Sequence, residues 1–548
     1  MSGIAGIIRF DGAPVEPGLV EKMTAAMPYR GPDGINHWVK GSVALGQCML
    51  RTTPESLEET QPLANEDESI VLVMDGRVDN WEELRRELLG RGAALRTRSD
   101  AELVLRAYET WGRECLAHID GDFALVVWDA RRQEAFCARD RVGNKPFNYS
   151  WDGKTFIFAS ELHAILELPG IKAVFNECML AEYLADEWYS RDETFCNGVL
   201  RLVAAHQLVV DAGGARMERY WQPDLWAKLP CKNDEEYIEH YRELLADVVR
   251  RMSRSHQAVA YEVSGGLDSS ALFAMAEHLR CQQNIPAPAI KGYALDFHDD
   301  PNANELNYSR AVGQHLGVPI HEIPPTEMPV SWYRKWAERY REFPGYPNGV
   351  MAIGLRTAAR QAGCRAIVSG VGGDEWLGMS STGAYYAEEL AAGQWRKVYA
   401  CLQADGRELG IRKTLWWLCR YGVVPLLPEP IKAPLRKVRR VDKRDPWLSS
   451  HLQETLERRR SQLYKPVPVR LQRRAQGMQI QILEGAFDAM ARESEERLCS
   501  SLQLELRKPL FNEKLIQFAF STPERLRSRG HTTKWLHRQA LKGLLPAL

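Results

Sequence analysis

Short apolar runs of strand length characterise the first 215 residues of the chain. They are rich in β-branched and aromatic side chains, are separated by Gly, Asp and Asn, and lie at 42–45, 70–74, 123–128, 134–138 and 155–159. Runs of this kind between turn residues are typical of β-strands. Apolar positions at helical spacing predict helices at 80–89 and 101–110. We therefore expect two sheets with helices between or outside them.

The pattern changes after a polar segment at 224–236, in which Pro230 and neighbouring turn formers interrupt the periodicity. Beyond it, strand-length apolar runs alternate with helical periodicity. The predicted strands lie at 257–263, 291–295, 321–323 and 366–369, and the predicted helices at 235–251, 269–279 and 305–316. Such alternation is typical of a parallel α/β sheet, and helices dominate from about residue 385.

A chain of 548 residues is too long for one ordinary core. The predicted organisation is an N-terminal domain at 1–215, a linker at 216–236, and an α/β domain at 237–548 with a helical insertion at about 385–475.

Composition excludes several classes of protein. The chain has no run of about 18 apolar residues that could span a bilayer, and its formal net charge of −1 argues against broad electrostatic binding to nucleic acid or membrane. Its eleven cysteines lack metal-ligand spacing, and its first residues lack a signal-peptide pattern. We expect a cytoplasmic protein without nucleic-acid or membrane partners. A basic run at 432–444 is either a solvated face or a docking site for an acidic partner.

The most specific motif is Val-Ser-Gly-Gly-Leu-Asp-Ser-Ser at 263–270, between a predicted strand and a predicted helix. Paired glycines allow the backbone to approach a polyanion, and a helix N-terminus offers free N–H groups with a positive field. The spacing of a Walker loop is absent. We predict a pyrophosphate-binding loop whose residues are Ser264, Gly265, Gly266, Asp268 and Ser269.

An acid in a phosphate-binding loop implies a cation that both can share, so Asp268 predicts Mg²⁺. A second loop, Ser-Gly-Val-Gly-Gly-Asp-Glu at 369–375, follows another predicted strand and supplies Asp374 as a second carboxylate. One Gly-Gly turn after a strand is commonly an ordinary connection. Two acid-bearing loops in one α/β domain favour a functional site.

Over nearly its whole length the chain resembles the asparagine synthetase B family. Besides the two loops, the matching motifs are Arg30-Gly31-Pro32-Asp33, Asp120-Gly121-Asp122-Phe123-Ala124, Arg139-Asp140-Arg141-Val142-Gly143 and Ala159-Ser160-Glu161. The resemblance implies an αββα sandwich like that of N-terminal nucleophile (Ntn) hydrolases, followed by an ATP-pyrophosphatase domain with a helical extension. It also implies that ATP is cleaved between the α and β phosphates while a carboxylate becomes an acyl-adenylate.

The resemblance assigns roles to further residues. Val263 and Leu295 would flank the adenine, and Ser369 and Gly370 would contact the nucleotide. Lys534, in the segment His-Thr-Thr-Lys-Trp, would contact a phosphate. Proton transfer is left open among Glu375, Glu342, Tyr346 and His531.

The N-terminal half departs from glutamine-dependent members of this family. Where those members have a cysteine nucleophile, a carboxylate-binding arginine, an oxyanion-hole asparagine and a glycine before Ser-Asp, this chain has Ser2, Met49, Asp75 and Arg98 followed by Ser99 and Asp100. An ionised Asp75 would repel an oxyanion, although Arg51 could replace the lost anchor. We predict a retained structural domain rather than a working glutaminase.

The synthetase half departs as well, because the loop glutamate that handles protons in asparagine synthetases is Val371 here. This pattern resembles relatives that close an amide bond within one substrate: β-lactam synthetases, carbapenam synthetases and lasso peptide cyclases. The helical insertion, with Trp416, Trp417 and Trp447, could wall a cavity for a peptide or receive a partner, and equally could be ordinary packing.

We therefore predict macrolactam closure of a lasso peptide, with ATP and Mg²⁺ as cofactors. The peptide would be the substrate, and a leader-binding protein and a leader peptidase would act beside the enzyme. The alternatives are an ammonia- or glutamine-dependent asparagine synthetase, a β-lactam synthetase-like enzyme and a non-catalytic scaffold.

Overall fold

The computed structural model describes residues 2–300, 302–343, 347–378, 384–428, 430–431, 446–463, 471, 473, 475–529 and 532–546. The predictions for Tyr346, for His531 and for the basic run at 432–444 lie outside the described residues. None of the described helices is long and apolar enough to cross a bilayer.

The N-terminal half contains two six-stranded sheets with the orders β10-β8-β9-β1-β3-β2 and β12-β11-β7-β6-β5-β4. The strands are β1 Gly3–Arg9, β2 Ile35–Lys40, β3 Val43–Cys48, β4 Leu63–Ala64, β5 Ile70–Val78, β6 Gly121–Asp129, β7 Glu134–Arg139, β8 Asn148–Trp151, β9 Thr155–Ala159, β10 Leu200–Arg201, β11 His206–Asp211 and β12 Gly214–Arg219. The helices are α1 Pro17–Ala26, α2 Trp81–Gly90, α3 Asp100–Trp111, α4 Leu162–Leu166 and α5 Glu177–Ala185.

The two sheets pack face to face. Alternate residues of both sheets, among them Ile4, Leu45, Val73 and Val126, form one buried cluster, as period-two side-chain alternation requires. The outer face of the first sheet packs on α1 and α4, and that of the second packs on α2 and α3. The predicted αββα sandwich is therefore confirmed. Its last strand runs to Arg219, so the predicted domain limit at 215 falls inside β12.

The second half is built on a parallel sheet of order β15-β14-β13-β16-β17. Its strands are β13 Val259–Glu262, β14 Ile290–Leu295, β15 Ile320–Ile323, β16 Ala366–Val368 and β17 Glu505–Arg507, and a short hairpin adds β18 Ser528–Arg529 and β19 Thr532–Thr533. The helices of this half before the extension are α6 Asp234–Met252, α7 Leu267–Cys281, α8 Leu306–Leu316, α9 Val330–Tyr340 and α10 Ile353–Gln361. The predicted parallel α/β sheet is confirmed, and β17 was not predicted.

The helical extension separates β16 from β17 along the chain. The remaining helices are α11 Ala384–Ala391, α12 Trp395–Leu409, α13 Ile411–Trp417, α14 Ser450–Leu463, α15 Ala475–Leu483, α16 Ala486–Ser501, α17 Glu513–Ser521, α18 Glu524–Arg527 and α19 Trp535–Ala540. On α14, Arg459 donates to Glu182 on α5 at 2.7 Å, and the Trp447 indole donates to the carbonyl of Leu184. The extension thus docks on the N-terminal sandwich.

Buried ion pairs join the two halves. Arg30 donates to Glu161 and Glu496, each at 2.6 Å, and Arg497 donates to the other oxygen of Glu161 at 2.7 Å. Burial alone raises the pKa of Glu161, but Arg497 and Arg30 hold that pKa well below its usual range. A buried carboxylate that stays ionised depends on such partners, so the position of α16 against the sandwich depends on these contacts.

Replacement Arg30→Met should therefore destabilise the protein. Glu161 and Glu496 would be left buried with one fewer cation, and breaking a buried pair in this way costs about 3–5 kcal/mol. Urea unfolding measures this loss. The matched control is Arg310→Met, which removes an exposed pair with Glu322 and should change stability by less than about 1 kcal/mol. Equal effects of the two substitutions would contradict the structural role of Arg30.

Candidate active site

The first glycine loop connects β13 to α7. The Ser264 and Ser269 hydroxyls lie 2.8 Å apart, and the N–H of Gly266 donates to the Ser264 hydroxyl at 3.2 Å. Gly265 has φ +87°, and a Cβ there would lie 2.7 Å from the carbonyl oxygen of Glu305. The loop therefore needs glycine at 265. Its backbone N–H groups lie at the N-terminus of α7, where they can bind an anion.

The second loop lies against the first because β13 and β16 are neighbours in the sheet. A Cβ on Gly370 would lie 2.7 Å from the backbone nitrogen of Ser269, and one on Gly373 would lie 2.0 Å from the Cγ of Asp268. Glycine at both positions allows this approach. The predicted metal ligands Asp268 and Asp374 consequently lie close together, where the two glycine loops adjoin.

Lys534 joins the two carboxylates. Its Nζ lies 2.7 Å from an oxygen of Asp374 and makes a shorter ion pair with Asp268. Burial lowers the pKa of Lys534, but its hydrogen bonds to Asp268 and Asp374 outweigh this and raise that pKa. Burial also raises the pKa of Asp268, an effect that Lys534 opposes. One cation between the two acids therefore stabilises both of them.

This arrangement fits Mg²⁺. An ammonium group bridges the two carboxylates, and Oδ1 of Asp268 is buried without a hydrogen-bond partner among the described residues. No group of three or more His, Cys, Asp or Glu capable of holding a metal occurs in the described part of the chain. Mg²⁺ commonly uses one or two carboxylates and takes its other ligands from phosphate and water. The pair therefore suits a metal that arrives with a nucleotide.

Sequence reasoning missed the residues behind this pair. His537 on α19 lies with Nε2 3.6 Å from Asp268, and its Nδ1 is 2.7 Å from the hydroxyl of Tyr241. Burial, with a smaller contribution from Lys534, lowers the pKa of His537 to about 3, so the ring is neutral at physiological pH. The sequence carried no clear signal for this contact, because Lys534 is the left-handed N-cap residue of α19 and His537 lies within the helix.

The remaining predicted nucleotide residues have different exposures. Val263 is fully buried in the core, so only its backbone faces the loop. Leu295 is partly buried at the end of β14, and Ser369 is buried with its N–H donating to the carbonyl of Arg507. Their contacts with a nucleotide stay predictions.

A cavity of about 290 Å³ opens on the side of the second loop that carries Val371. Its walls are largely apolar, with Trp332, Trp336, Val350, Phe487, Leu498 and Phe511, and its polar groups include Glu375, Asp488, Arg492 and Glu495. The described residues of α11 to α14 do not line it. The sequence left open whether the helical insertion walls a cavity, receives a partner or is ordinary packing; this cavity is lined mainly by residues of α9, α16 and the second loop.

The candidate proton-transfer residues separate clearly. Glu342 is buried and paired with Arg201 and Arg497, so it is not free to accept a proton. Glu375 lines the cavity and accepts from the N–H of Gly372 at 3.0 Å. Burial raises its pKa, and Asp374 adds to the rise. A raised carboxyl pKa is suited to general base catalysis near neutral pH.

The positions at which glutamine-dependent relatives were expected to carry their pocket residues make contacts within the protein here. The hydroxyl of Ser2 accepts from the N–H of Leu50 at 3.1 Å, and Met49 is buried. Asp75 is buried 3.6 Å from Arg30. Burial raises its pKa to about 6, an effect that Lys145 and Arg30 oppose.

The positions that would bind glutamine are also engaged. Arg51 donates to the carbonyls of Asp33, Ser56 and Glu59, so it does not replace the missing anchor. Asp100 accepts from Arg254 of the second half and from the N–H of Val78. Arg98 is exposed and pairs with Glu58.

Comparisons with known proteins divide the chain into the same two halves as the structure. A family profile described as "Glutamine amidotransferase domain" matches residues 1–221, and one described as "Asparagine synthase" matches residues 240–547. The chain is 32% identical to "Asparagine synthetase [glutamine-hydrolyzing] 3" of Bacillus subtilis (strain 168), over 55% of this chain and 49% of that protein. The match thus spans about half the length of that relative.

Two further relatives are less similar in sequence. The chain is 28% identical to "Putative asparagine synthetase [glutamine-hydrolyzing] 2" of Methanocaldococcus jannaschii, over 76% of this chain and 82% of that protein. It is also 28% identical to "Amidase chry2" of Gibberella zeae, over 69% of this chain and 59% of that protein.

The contacts of Ser2, Asp100 and Arg51 generate a test. Replacement Ser2→Cys restores a thiol at the position of the predicted nucleophile, yet glutamine hydrolysis should stay at background because Asp100 and Arg51 remain engaged. Ammonia release from glutamine, measured with a glutamate dehydrogenase coupled assay, checks this. Glutamine turnover by either the wild type or this variant would contradict the assignment of a structural domain.

Proposed function

Because the chain belongs to the asparagine synthase family, we propose that it activates a carboxylic acid with ATP and joins it to an amine. The observation that carries this proposal is the convergence of Asp268, Asp374 and Lys534 at the mouth of two adjoining glycine loops. The groups needed to hold a magnesium nucleotide meet there. The proposal places the enzyme in the cytoplasm, where ATP is available.

The first step is adenylation. A carboxylate oxygen of the substrate attacks the α-phosphorus of ATP, and the bond to the oxygen that bridges the α and β phosphates breaks. Pyrophosphate leaves beside the N–H groups at the start of α7 and beside Lys534, which donate to its oxygens. Mg²⁺ held by Asp268 and Asp374 would neutralise charge on the phosphates.

The second step forms the amide. The amine nitrogen attacks the acyl carbon of the adenylate, the carbon–oxygen bond to AMP breaks, and the amine loses a proton. Glu375 is positioned for this proton, since it lines the cavity and follows Asp374 directly. It would replace the loop glutamate whose position Val371 occupies.

We further propose that the amine belongs to the same molecule as the acid, and that the reaction is macrolactam closure of a lasso peptide. Two observations support this. The N-terminal half has no open site for a nitrogen donor in the positions considered above, and the cavity next to Val371 has aromatic walls that suit a side chain larger and less polar than that of aspartate. In this proposal a leader-binding protein and a leader peptidase prepare the peptide.

Asparagine synthesis is the second candidate, and the similarity to the Bacillus and Methanocaldococcus asparagine synthetases favours it. A non-catalytic scaffold is less consistent with the site. Gly370 and Gly373 keep the two loops close enough for Asp268 and Asp374 to share one cation.

The adenylation proposal predicts the effect of Asp268→Asn. The substitution keeps the shape of the side chain and removes its charge, so pyrophosphate exchange should fall by at least about 100-fold through loss of a metal ligand. The matched control is Asp299→Asn, which alters an exposed side chain and should leave exchange unchanged. Full exchange activity in Asp268→Asn would refute the assigned site.

The reaction products distinguish macrolactam closure from asparagine synthesis. With ATP, Mg²⁺ and a leader-free peptide encoded beside the gene, mass spectrometry should find a product lighter by one water, together with AMP. The same peptide acetylated at its N-terminus should not lose water. Aspartate with ammonia should give no asparagine, and asparagine formation would favour the second candidate.

A further inference from the structure

Arg492, on α16, is a buried cation that has no ion-pair partner in the part of the chain that the structure describes. Arg492 is 4% exposed, and its Nε has no hydrogen-bond acceptor among the described residues. No carboxylate of the described residues lies within ion-pair distance of its guanidinium. Its guanidinium carbon lies 5.3 Å from the centroid of the Phe511 ring.

Other buried arginines of the chain differ in this respect. Arg30 has Glu161 and Glu496, Arg77 has Asp79, and Arg139 donates to three backbone carbonyls. An unpaired buried charge costs several kcal/mol, and proteins rarely retain one without a use. Arg492 is therefore set up to receive an anion.

Arg492 lines two cavities, the one of about 290 Å³ described above and a smaller one of about 40 Å³ beside Arg139 and Glu484. Only the larger cavity has room for an organic anion, so we assign the anion to it. The carboxyl of Asp488 is one helical turn away and also lines the cavity, yet it does not reach ion-pair distance. Burial raises the pKa of Asp488, although Arg492 opposes this. The lining thus combines one arginine with three carboxylates, of Glu375, Asp488 and Glu495, and with apolar walls. None of these carboxylates forms an ion pair with Arg492.

We propose that Arg492 is a positioning residue that binds a carboxylate of the acid substrate, with the apolar part of that substrate filling the aromatic cavity. This inference rests on the proposed function and names its substrate class: an acid on an apolar stem. The carboxylate is either the one to be adenylated or a second one on the same molecule. In both cases Arg492 holds it beside the second glycine loop without touching the phosphate site.

Direct binding tests this without catalysis. Isothermal titration of the full chain compares 4-phenylbutyrate with its uncharged isostere 4-phenylbutan-1-ol. The acid should bind the wild type about tenfold more tightly, because a hydrogen bond to a charged group contributes about 1.5–3 kcal/mol. In Arg492→Met this preference should vanish, and in Asp488→Asn it should grow because the nearest competing carboxyl is neutral.

Two controls separate binding from folding. Arg310→Met should keep the preference of the wild type. Arg492→Met should melt at or above the wild-type temperature, since it removes an unpaired buried charge; a clear fall would mean that Arg492 has a structural partner and would overturn the proposal.

Other outcomes also decide. No measurable binding of the acid, equal binding of acid and alcohol, or an unchanged preference in Arg492→Met would each overturn it. Loss of pyrophosphate binding in Arg492→Met would make the residue a phosphate contact instead, and would overturn it too. Failure of the ligase proposal is distinguishable, because Asp268→Asn should keep the acid preference whether or not the chain turns ATP over.

With a confirmed substrate, the steady-state constants assign the carboxylate. If Arg492 holds a second carboxylate, Arg492→Met should raise KM with kcat little changed. If it holds the reacting one, kcat should fall as well.

Discussion

The close approach of two glycine loops is the constraint on which the proposed chemistry depends. β13 and β16 are parallel neighbours, so the turns that follow them leave the sheet at the same edge. Any side chain at Gly370 or Gly373 would strike Ser269 or Asp268. Since Asp268 and Asp374 are carried on these turns, the spacing of the two carboxylates is set by the backbone of the sheet. Lys534 reaches them from the other end of the chain and neutralises the pair.

Much of this could be predicted from the sequence, because the decisive features are local. The strand, glycine and acid patterns at 257–270 and 366–375 carry the turn geometry themselves, and the alternation of apolar runs gives both fold classes. β17 could not be predicted in the same way. It is three residues long and joins the sheet only after the whole helical extension, so its partner is distant in sequence. Arg51 and Glu342 were candidates on residue type alone, and their engagement by carbonyls and arginines depends on tertiary contacts.

Buried ion pairs join the N-terminal sandwich to the second half of the chain. Arg254 of the second half reaches Asp100, and Arg77 bonds Glu505 on β17. Each contact uses a position that would serve glutamine chemistry, or lie beside it, in the family that the chain resembles. A charge that is committed to a buried pair is costly to release. In the proposed function, Asp100 therefore stabilises the contact with the second half instead of contributing to the binding of a nitrogen donor.

In the proposed function, the absence of a separate nitrogen donor and the valine at 371 are consistent with each other. Ammonia in solution is largely present as ammonium, which carries an extra proton. An enzyme that uses it therefore needs a base close to the adenylate. An amine already attached to the substrate arrives at high effective concentration, so a weaker or more distant base suffices. Val371 adds no carboxylate to the cavity, and the three carboxylates that line it, Glu375, Asp488 and Glu495, form no ion pair with Arg492. A glutamate at 371 would add a fourth fixed carboxylate, which could compete with a substrate for Arg492. The valine and the arginine thus favour the same proposal, in which the acid of the substrate becomes the ion-pair partner of Arg492.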